Sequence, residues 1–319
     1  MSRPTVTRAH IPWVECWESA NRAFYRDHKA EHHFATPVSV STHTARKVAT
    51  LLAEEDFDHS IRTVVDVGSG SGTLLGQLAS LVDSDIRLIG VDTRPRPDGL
   101  DSSIEWRRVH IDAGVEEITG DDGKLNGIVM AHEFLDDVPC PVVELDDHLN
   151  ARIVLVDPAT GSEEIGPALS DAAAGALLGD MTNADATSWL NRWWPATKPF
   201  ARREIGLARD RVWRRLTRVL NTGYAVGVDY AHRFADRRTG LWDGGTLRGF
   251  AAGYPQPARP DGTVNITAHV ALDSCAAAGA WMLPQHEVFA SSSLDSWPLE
   301  LGSFEWLIEP VRSDVGSDQ

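Results

Sequence analysis

Three glycines punctuate the segment Asp66-Val67-Gly68-Ser69-Gly70-Ser71-Gly72-Thr73, at the end of the apolar run 63–67 and just before a stretch with helical spacing. Glycine lacks a Cβ, so such a turn lets the backbone approach a ligand closely, and the helix that follows offers unpaired N–H groups. Two cofactor classes use this device, and spacing separates them. The dinucleotide fingerprint G-x-G-x-x-G places its third glycine where this chain has Thr73; here the third glycine comes one residue early, at Gly72. Asp66 stands two residues before the first glycine, where it would repel a pyrophosphate and attract an ammonium group. A nicotinamide dinucleotide is therefore disfavoured.

Two more acids stand at related positions. Asp92, twenty residues after Gly72, ends the second apolar run (87–91) and is placed to accept hydrogen bonds from both hydroxyls of a ribose. Asp112 ends the third run (104–111), where it can receive an adenine amino group. The pattern D-x-G-x-G-x-G with these acids looks like that of S-adenosylmethionine methyltransferases. After the fourth run (125–130) comes Ala131-His132-Glu133-Phe134-Leu135-Asp136-Asp137-Val138-Pro139. A helix starting here would set Glu133 and Asp136, three apart, on one face. They read either as first-turn acids complementing a helix dipole or as a clamp for a cationic acceptor beside a sulfonium.

The elements that must hold these residues follow from the periodicity. Short apolar runs alternating with helical stretches imply βαβ units and a doubly wound, mostly parallel α/β sheet. A helix is expected over residues 42–55, a hairpin over 142–156 around the polar turn 146–150, and a further strand at 224–228. The stretch 160–220 has almost no strand signal and implies a helical insertion. The expected organisation is a helical or lid segment (1–60), a cofactor core (61–158), the insertion (159–222), the rest of the sheet (223–310) and a frayed tail (311–319).

A family resemblance is carried by several blocks. Residues 65–75 (VDVGSGSGTLL) and AHEFLDDVP resemble the E-I-G-P-G-x-G-T-L and N-E-F-F-D-A-L-P segments of the MidA-like methyltransferases. HFATPVS (33–39), GVDY (227–230), GTLRG (245–249) and NITAHV (265–270) resemble further blocks of that family, in the same order. The resemblance implies a class I methyltransferase fold with a helical insertion, S-adenosylmethionine as cofactor, and a methyl acceptor. Mitochondrial members of that family are assembly factors for respiratory complex I and methylate an arginine of a subunit. Carried over, the cofactor residues are Asp66, Gly68, Gly70, Gly72, Asp92 and Asp112, with Phe34 and Thr36 as a lid. The acceptor side is Glu133, Asp136, Asp229, Tyr230 and His269. The chain departs from the family pattern at His132 for asparagine, Ala231 for glycine, and in the last block, where D-L-T-A-H-V-D-F reads NITAHVAL. The acceptor is thus left open between a protein, with arginine as one target, and a small molecule, and a catalytically idle cofactor-binding relative stays a third reading.

Composition bounds the rest. The 319 residues are 42% hydrophobic and 24% charged, as in an ordinary globular protein, and the net charge of −16 opposes nucleic-acid phosphates and anionic membranes while favouring a cationic partner. No apolar run approaches the roughly 20 residues of a membrane span. Residues 1–17 lack a signal-peptide pattern, and Cys16, Cys140 and Cys275 lie far apart without a CxxC pair, which implies reduced thiols in a cytoplasm and no disulfide or zinc framework. His28, His32 and His33 form no ligand cluster, so no metal is expected. Residues 198–218 carry eight basic residues against an apolar face, Ile205, Ala208, Val212, Leu216 and Val219, which implies an amphipathic helix with a solvated basic side. Trp189, Trp193 and Trp194 are expected to pack beneath the insertion rather than to wall a pocket.

Overall fold

Every residue of the strand Thr63–Val67 is buried, as β-branched residues between two parallel neighbours should be. The computed structural model describes residues 10–28, 36–53, 60–109, 115–289 and 303–312. The chain divides into two compact units, one comprising residues 35–136, 209–231 and 275–319, the other residues 1–34, 137–208 and 232–274.

The first of these holds a seven-stranded sheet. Its order is Trp281–Pro284, Phe304–Val311, Leu220–Tyr230, Leu125–His132, Thr63–Val67, Arg87–Asp92, Ile104–Arg108. The last five strands in this order run parallel, while Phe304–Val311 pairs antiparallel with both of its neighbours. Helix His43–Ala53 buries Val48, Leu51 and Leu52, and helix Thr73–Ala79 buries Leu74, Leu75 and Leu78. The three- and four-residue spacing puts these side chains on one face, and burying each stabilises by roughly 1.5–3 kcal/mol. Among the side chains they pack with is Trp306, whose indole N–H donates to Gln285 Oε1 at 3.0 Å.

The other unit is built from antiparallel sheets. Val142–Leu145 and Ala151–Val156 form the expected hairpin, closed by Asp146 N–H to Asn150 O at 2.9 Å. Arg202–Glu204, Glu163–Ala168 and Ile11–Pro12 extend it to five strands. A three-stranded sheet joins Tyr254–Gln256, Arg248–Ala251 and Asn265–Thr267.

The stretch 160–220 is thus not purely helical. It holds two of these strands as well as the helices Asn183–Trp193 and Leu207–Arg218. Glu163–Ala168 (EEIGPA) is exposed over its first half and interrupted by a glycine and a proline, and Arg202–Glu204 buries two charged side chains. Neither carries the apolar alternation that marks a half-buried strand. The expected core boundary at 158 also differs from the division into units, which assigns the 142–156 hairpin to the antiparallel unit. Trp189 and Trp194 lie in that unit's core, as expected of packing residues. Asn265 and Ile266, from the NITAHV block, are tied to the helix Trp13–Asp27: Asn21 Nδ2 donates to Ile266 O at 2.8 Å, and Ile266 N–H returns a bond to Asn21 Oδ1 at 2.8 Å.

Candidate cofactor and acceptor sites

All three glycines of the turn are left-handed, with φ of 73° at Gly68, 61° at Gly70 and 75° at Gly72. Non-glycine residues pay strain in that region. Space adds to the requirement, since a Cβ at Gly68 would come within 2.7 Å of the Phe134 ring, and one at Gly72 within 2.7 Å of Leu100. The turn is pinned to the second strand by Gly68 N–H and Ser69 N–H, which both donate to Val91 O, at 2.9 and 3.2 Å.

Asp66 and Asp92 flank this turn, both buried. Asp66 accepts from Ser69 Oγ at 2.7 Å. Burial pushes its carboxyl up to about 7; the Ser69 bond opposes that, and the charge of Asp92 adds to it. Asp92 receives Gly70 N–H on Oδ2 at 2.9 Å, and Arg94 covers it through the backbone N–H and two guanidinium nitrogens at 2.9–3.1 Å. Thr36 caps the short helix Pro37–Val40 in a reciprocal pair with Ser39, and Gln77 of the post-glycine helix donates to Val38 O at 2.7 Å. Phe34 and Asp112, like His32 and His33, lie outside the described residues.

On the acceptor side, Glu133, Asp136, Asp229 and Tyr230 come together at the ends of two adjacent parallel strands, where Val228 pairs with His132. No helix starts at Glu133. That residue takes φ of 50°, its N–H donates to Val228 O at 2.8 Å, and a turn follows. The two acids therefore do not share a helix face, nor serve as first-turn acids. Asp229, fully buried, organises the turn instead: its Oδ2 accepts Leu135 N–H at 2.9 Å and Asp136 N–H at 3.2 Å. Burial pushes the Asp229 carboxyl up to about 8, with Arg209 opposing and Glu133 adding.

Arg209 corrects another expectation. Rather than lying on a solvated basic face, it is buried and donates from Nη2 to Asp136 O at 2.9 Å. Arg203, expected on the same face, is also buried, in the antiparallel unit. Tyr230 stacks on Phe304 at 4.1 Å between centroids, and His132 on the same ring at 6.3 Å. Burial pulls His132 down to about 4, and its Nε2 has no hydrogen-bond partner among the described residues. His269 belongs to the antiparallel unit, where it packs edge-on against Trp242 at 5.0 Å. Asp136 and Asp137 are consecutive but fall in different units; Asp137 accepts from Tyr25 and from Asn265 Nδ2, the latter at 2.8 Å.

Arg94, Phe134 and Arg209 join the site only in three dimensions. The Asp92-x-Arg94 spacing carries a signal for the first, a charged pair two residues apart at a strand end. Phe134 stands beside Glu133 in the AHEFLDDVP block, though its approach to Gly68 has no local signal, and nothing local marks Arg209.

The donor set suits the cofactor the glycine turn implies. It combines a close-approach turn, a buried acid before it and a second acid at the next strand end. Among the described residues no group of three His, Cys, Asp or Glu side chains is placed to hold a metal ion, and no helix is long and apolar enough to cross a membrane.

Comparison with known proteins agrees with the geometry. A family model described as "Putative S-adenosyl-L-methionine-dependent methyltransferase" matches residues 44–283. A "likely methyl transferase" from Burkholderia thailandensis, solved bound to S-adenosyl-homocysteine, superposes with a TM-score of 0.69 at 18% identity, covering 96% of this chain and 89% of that one. A second structure from the same organism, an uncharacterized protein of the same superfamily, gives 0.61 at 19% identity over 96% and 88% of the two chains. No curated protein matches the sequence. The fold is that of the class I methyltransferases, with a central, mostly parallel sheet.

Proposed function

The chain belongs to the S-adenosyl-L-methionine-dependent methyltransferase family whose model spans its residues 44–283, and from that premise we propose that it methylates a cationic nitrogen, as on an arginine side chain of a protein partner, held against the acidic turn Glu133–Asp136. The observation that carries this reading is the gathering of Glu133, Asp136 and Asp229 at the strand ends next to the glycine turn, in the unit that holds Asp66 and Asp92. Within the family, the HFATPVS, AHEFLDDVP, GTLRG and NITAHV blocks support a MidA-like assignment.

Bound at the glycine turn, S-adenosylmethionine supplies an electrophilic methyl group on a sulfonium sulfur. Asp66 would hold the ammonium of the methionine moiety and Asp92 the ribose hydroxyls; Asp112 is proposed for the adenine and Phe34 with Thr36 for a lid, Asp112 and Phe34 lying outside the described residues and Thr36 at their edge. Gly68, Gly70 and Gly72 allow the close approach. Glu133 is the catalytic base. An arginine stays protonated at neutral pH, since its pKa exceeds 12, so a carboxylate must localise the charge and take the proton as the nitrogen attacks. Asp229 and Arg209 are positioning residues that fix the turn, and Asp136 and Tyr230 complete the acceptor side within that unit. In-line transfer then depends on holding the nitrogen at attack distance with water excluded.

Calorimetric titration of S-adenosylmethionine into the wild type and Asp92→Ala, with NADH as the control ligand, tests the cofactor half. Binding that the substitution abolishes is expected, and a preference for NADH would overturn it. Transfer of labelled methyl to arginine-containing peptides, lost in Glu133→Gln, tests the acceptor half. Label that goes to small molecules alone would exclude the protein acceptor.

A further inference from the structure

The turn that follows His132 holds an aromatic ring whose backbone is fixed on both sides. Before Phe134, Glu133 takes φ of 50° and donates its N–H to Val228 O at 2.8 Å. After it, Leu135 N–H donates to Asp229 Oδ2 at 2.9 Å. A glutamate in left-handed backbone carries strain, which persists only where the surroundings enforce it. Leu135 and Asp136 then turn inward and are buried, whereas Phe134 stays half-buried. All these residues lie in one unit.

The direction of the ring is the second observation. Tyr230 and His132, which also stand at the strand ends, pack on Phe304. Phe134 meets the glycine turn instead. A Cβ at Gly68 would come within 2.7 Å of its Cδ2 and within 3.5 Å of its Cγ and Cε2. The ring thus fills the space that a side chain at position 68 would take. It joins the turn that carries the first glycine to the turn that carries Glu133 and Asp136.

That place has a chemical consequence. The glycine turn is where the cofactor belongs, and the acids on either side of Phe134 in the chain are where the acceptor belongs. A methyl group passing between them starts on a sulfonium, a cation, and leaves a neutral thioether behind. The face of a benzene ring carries negative potential and attracts a cation within about 6 Å of its centroid. A sulfonium has no N–H to donate, so a ring face suits it where a conventional hydrogen-bond acceptor has nothing to receive. An aliphatic side chain would close the same space without telling the two sulfur species apart.

We infer that Phe134 is the residue by which this site reads the charge of its cofactor: the ring favours the sulfonium of S-adenosylmethionine over the thioether of S-adenosylhomocysteine and so favours release of the spent cofactor. This rests on the methyl-transfer reading and adds to it a specificity-determining residue.

Calorimetry on the full chain with S-adenosylmethionine, S-adenosylhomocysteine and sinefungin tests it. Sinefungin carries an amine-bearing carbon in place of the methyl sulfonium, so it separates charge from sulfur. In Phe134→Leu the affinities for the two cationic ligands should each fall about fivefold relative to that for S-adenosylhomocysteine, the loss expected of one partly exposed contact between a cation and a ring. Phe134→Tyr, which keeps the ring, should hold the wild-type ratios within about twofold. A second readout needs neither turnover nor a variant. With carbon-13 in the methyl group of S-adenosylmethionine, the methyl resonance should move upfield on binding to the wild type, because it meets a ring face, and that shift should vanish in Phe134→Leu. Equal losses for all three ligands in Phe134→Leu, or a bound methyl resonance that the substitution does not move, would overturn the inference and leave the cofactor reading standing. If none of the three ligands binds the wild type, the cofactor reading itself fails.

Discussion

Arg94 grips the carboxylate of Asp92 from two sides: its Nε donates to Oδ1 at 3.1 Å and its Nη2 to Oδ2 at 3.1 Å, while its own backbone N–H adds a bond to Oδ1 at 2.9 Å. With Gly70 N–H on Oδ2, the carboxylate that a ribose would use is already engaged. Ribose hydroxyls must therefore displace the guanidinium. Removing it in Arg94→Ala should tighten S-adenosylmethionine binding about fivefold, since a partly exposed ion pair is worth ~1 kcal/mol. Calorimetry decides: weaker binding in the variant would mean that Arg94 touches the cofactor instead of competing with it.

Two glycines, one in the turn and one in the helix after it, should respond to the same substitution in opposite ways. Gly68→Ala places a side chain in left-handed backbone and against Phe134, and should cost about 1–3 kcal/mol of unfolding free energy together with cofactor binding. Gly76 lies inside the helix Thr73–Ala79, where an added Cβ would meet nothing within 4 Å, so Gly76→Ala should stabilise by about 0.5–1 kcal/mol. Urea melts of both variants check this, and equal effects would contradict the geometry.

The difference between what the sequence shows and what it hides has a physical origin. The glycine turn, Asp66 and Asp92 are legible because buried parallel strands are continuous apolar runs and the residues at their ends are fixed by chain spacing. The turn after His132 is not. The acceptor that bends it, Asp229 Oδ2, lies 93 residues away from Asp136, and without it the acids look like the start of a helix. Arg203 and Arg209 mislead for a related reason. A run of arginines reads as a solvated face, and only long-range partners such as Asp136 O make burial tolerable. The strands of the antiparallel unit are short, edge-like or charged, so periodicity has little to report there.

Because Asp229 acts through the backbone of the turn, its substitutions should separate binding from turnover. Asp229→Asn retains an oxygen that can accept from Leu135 and Asp136, and should lower kcat only about tenfold or less. Asp229→Ala removes the acceptor, frees the turn, and should cost about a hundredfold in kcat while leaving the KM for S-adenosylmethionine unchanged. A KM that rises in step with the loss of kcat would place Asp229 in the cofactor site instead.

Three buried groups near the sheet ends give stability a pH signature with opposing parts. Asp66 and Asp229 are held up, to about 7 and about 8, against about 3.9 in the unfolded chain. Between those values the folded state retains protons that the unfolded state has lost, so their contribution is complete below about pH 4 and disappears as pH rises to 7 and 8. His132 is pulled down to about 4, against about 6.5 unfolded, so its contribution is present above 6.5 and is lost as pH falls towards 4. Over pH 4–6.5 the two carboxyls outnumber the imidazole, and the wild type should lose stability as pH rises. Asp66→Asn should flatten that fall and stop differing in slope above pH 7, whereas His132→Asn should steepen it and differ in slope only below 6.5. Urea melts from pH 4 to 9 measure these slopes, and a His132→Asn curve parallel to the wild type below pH 6.5 would mean that the imidazole is not held neutral by burial.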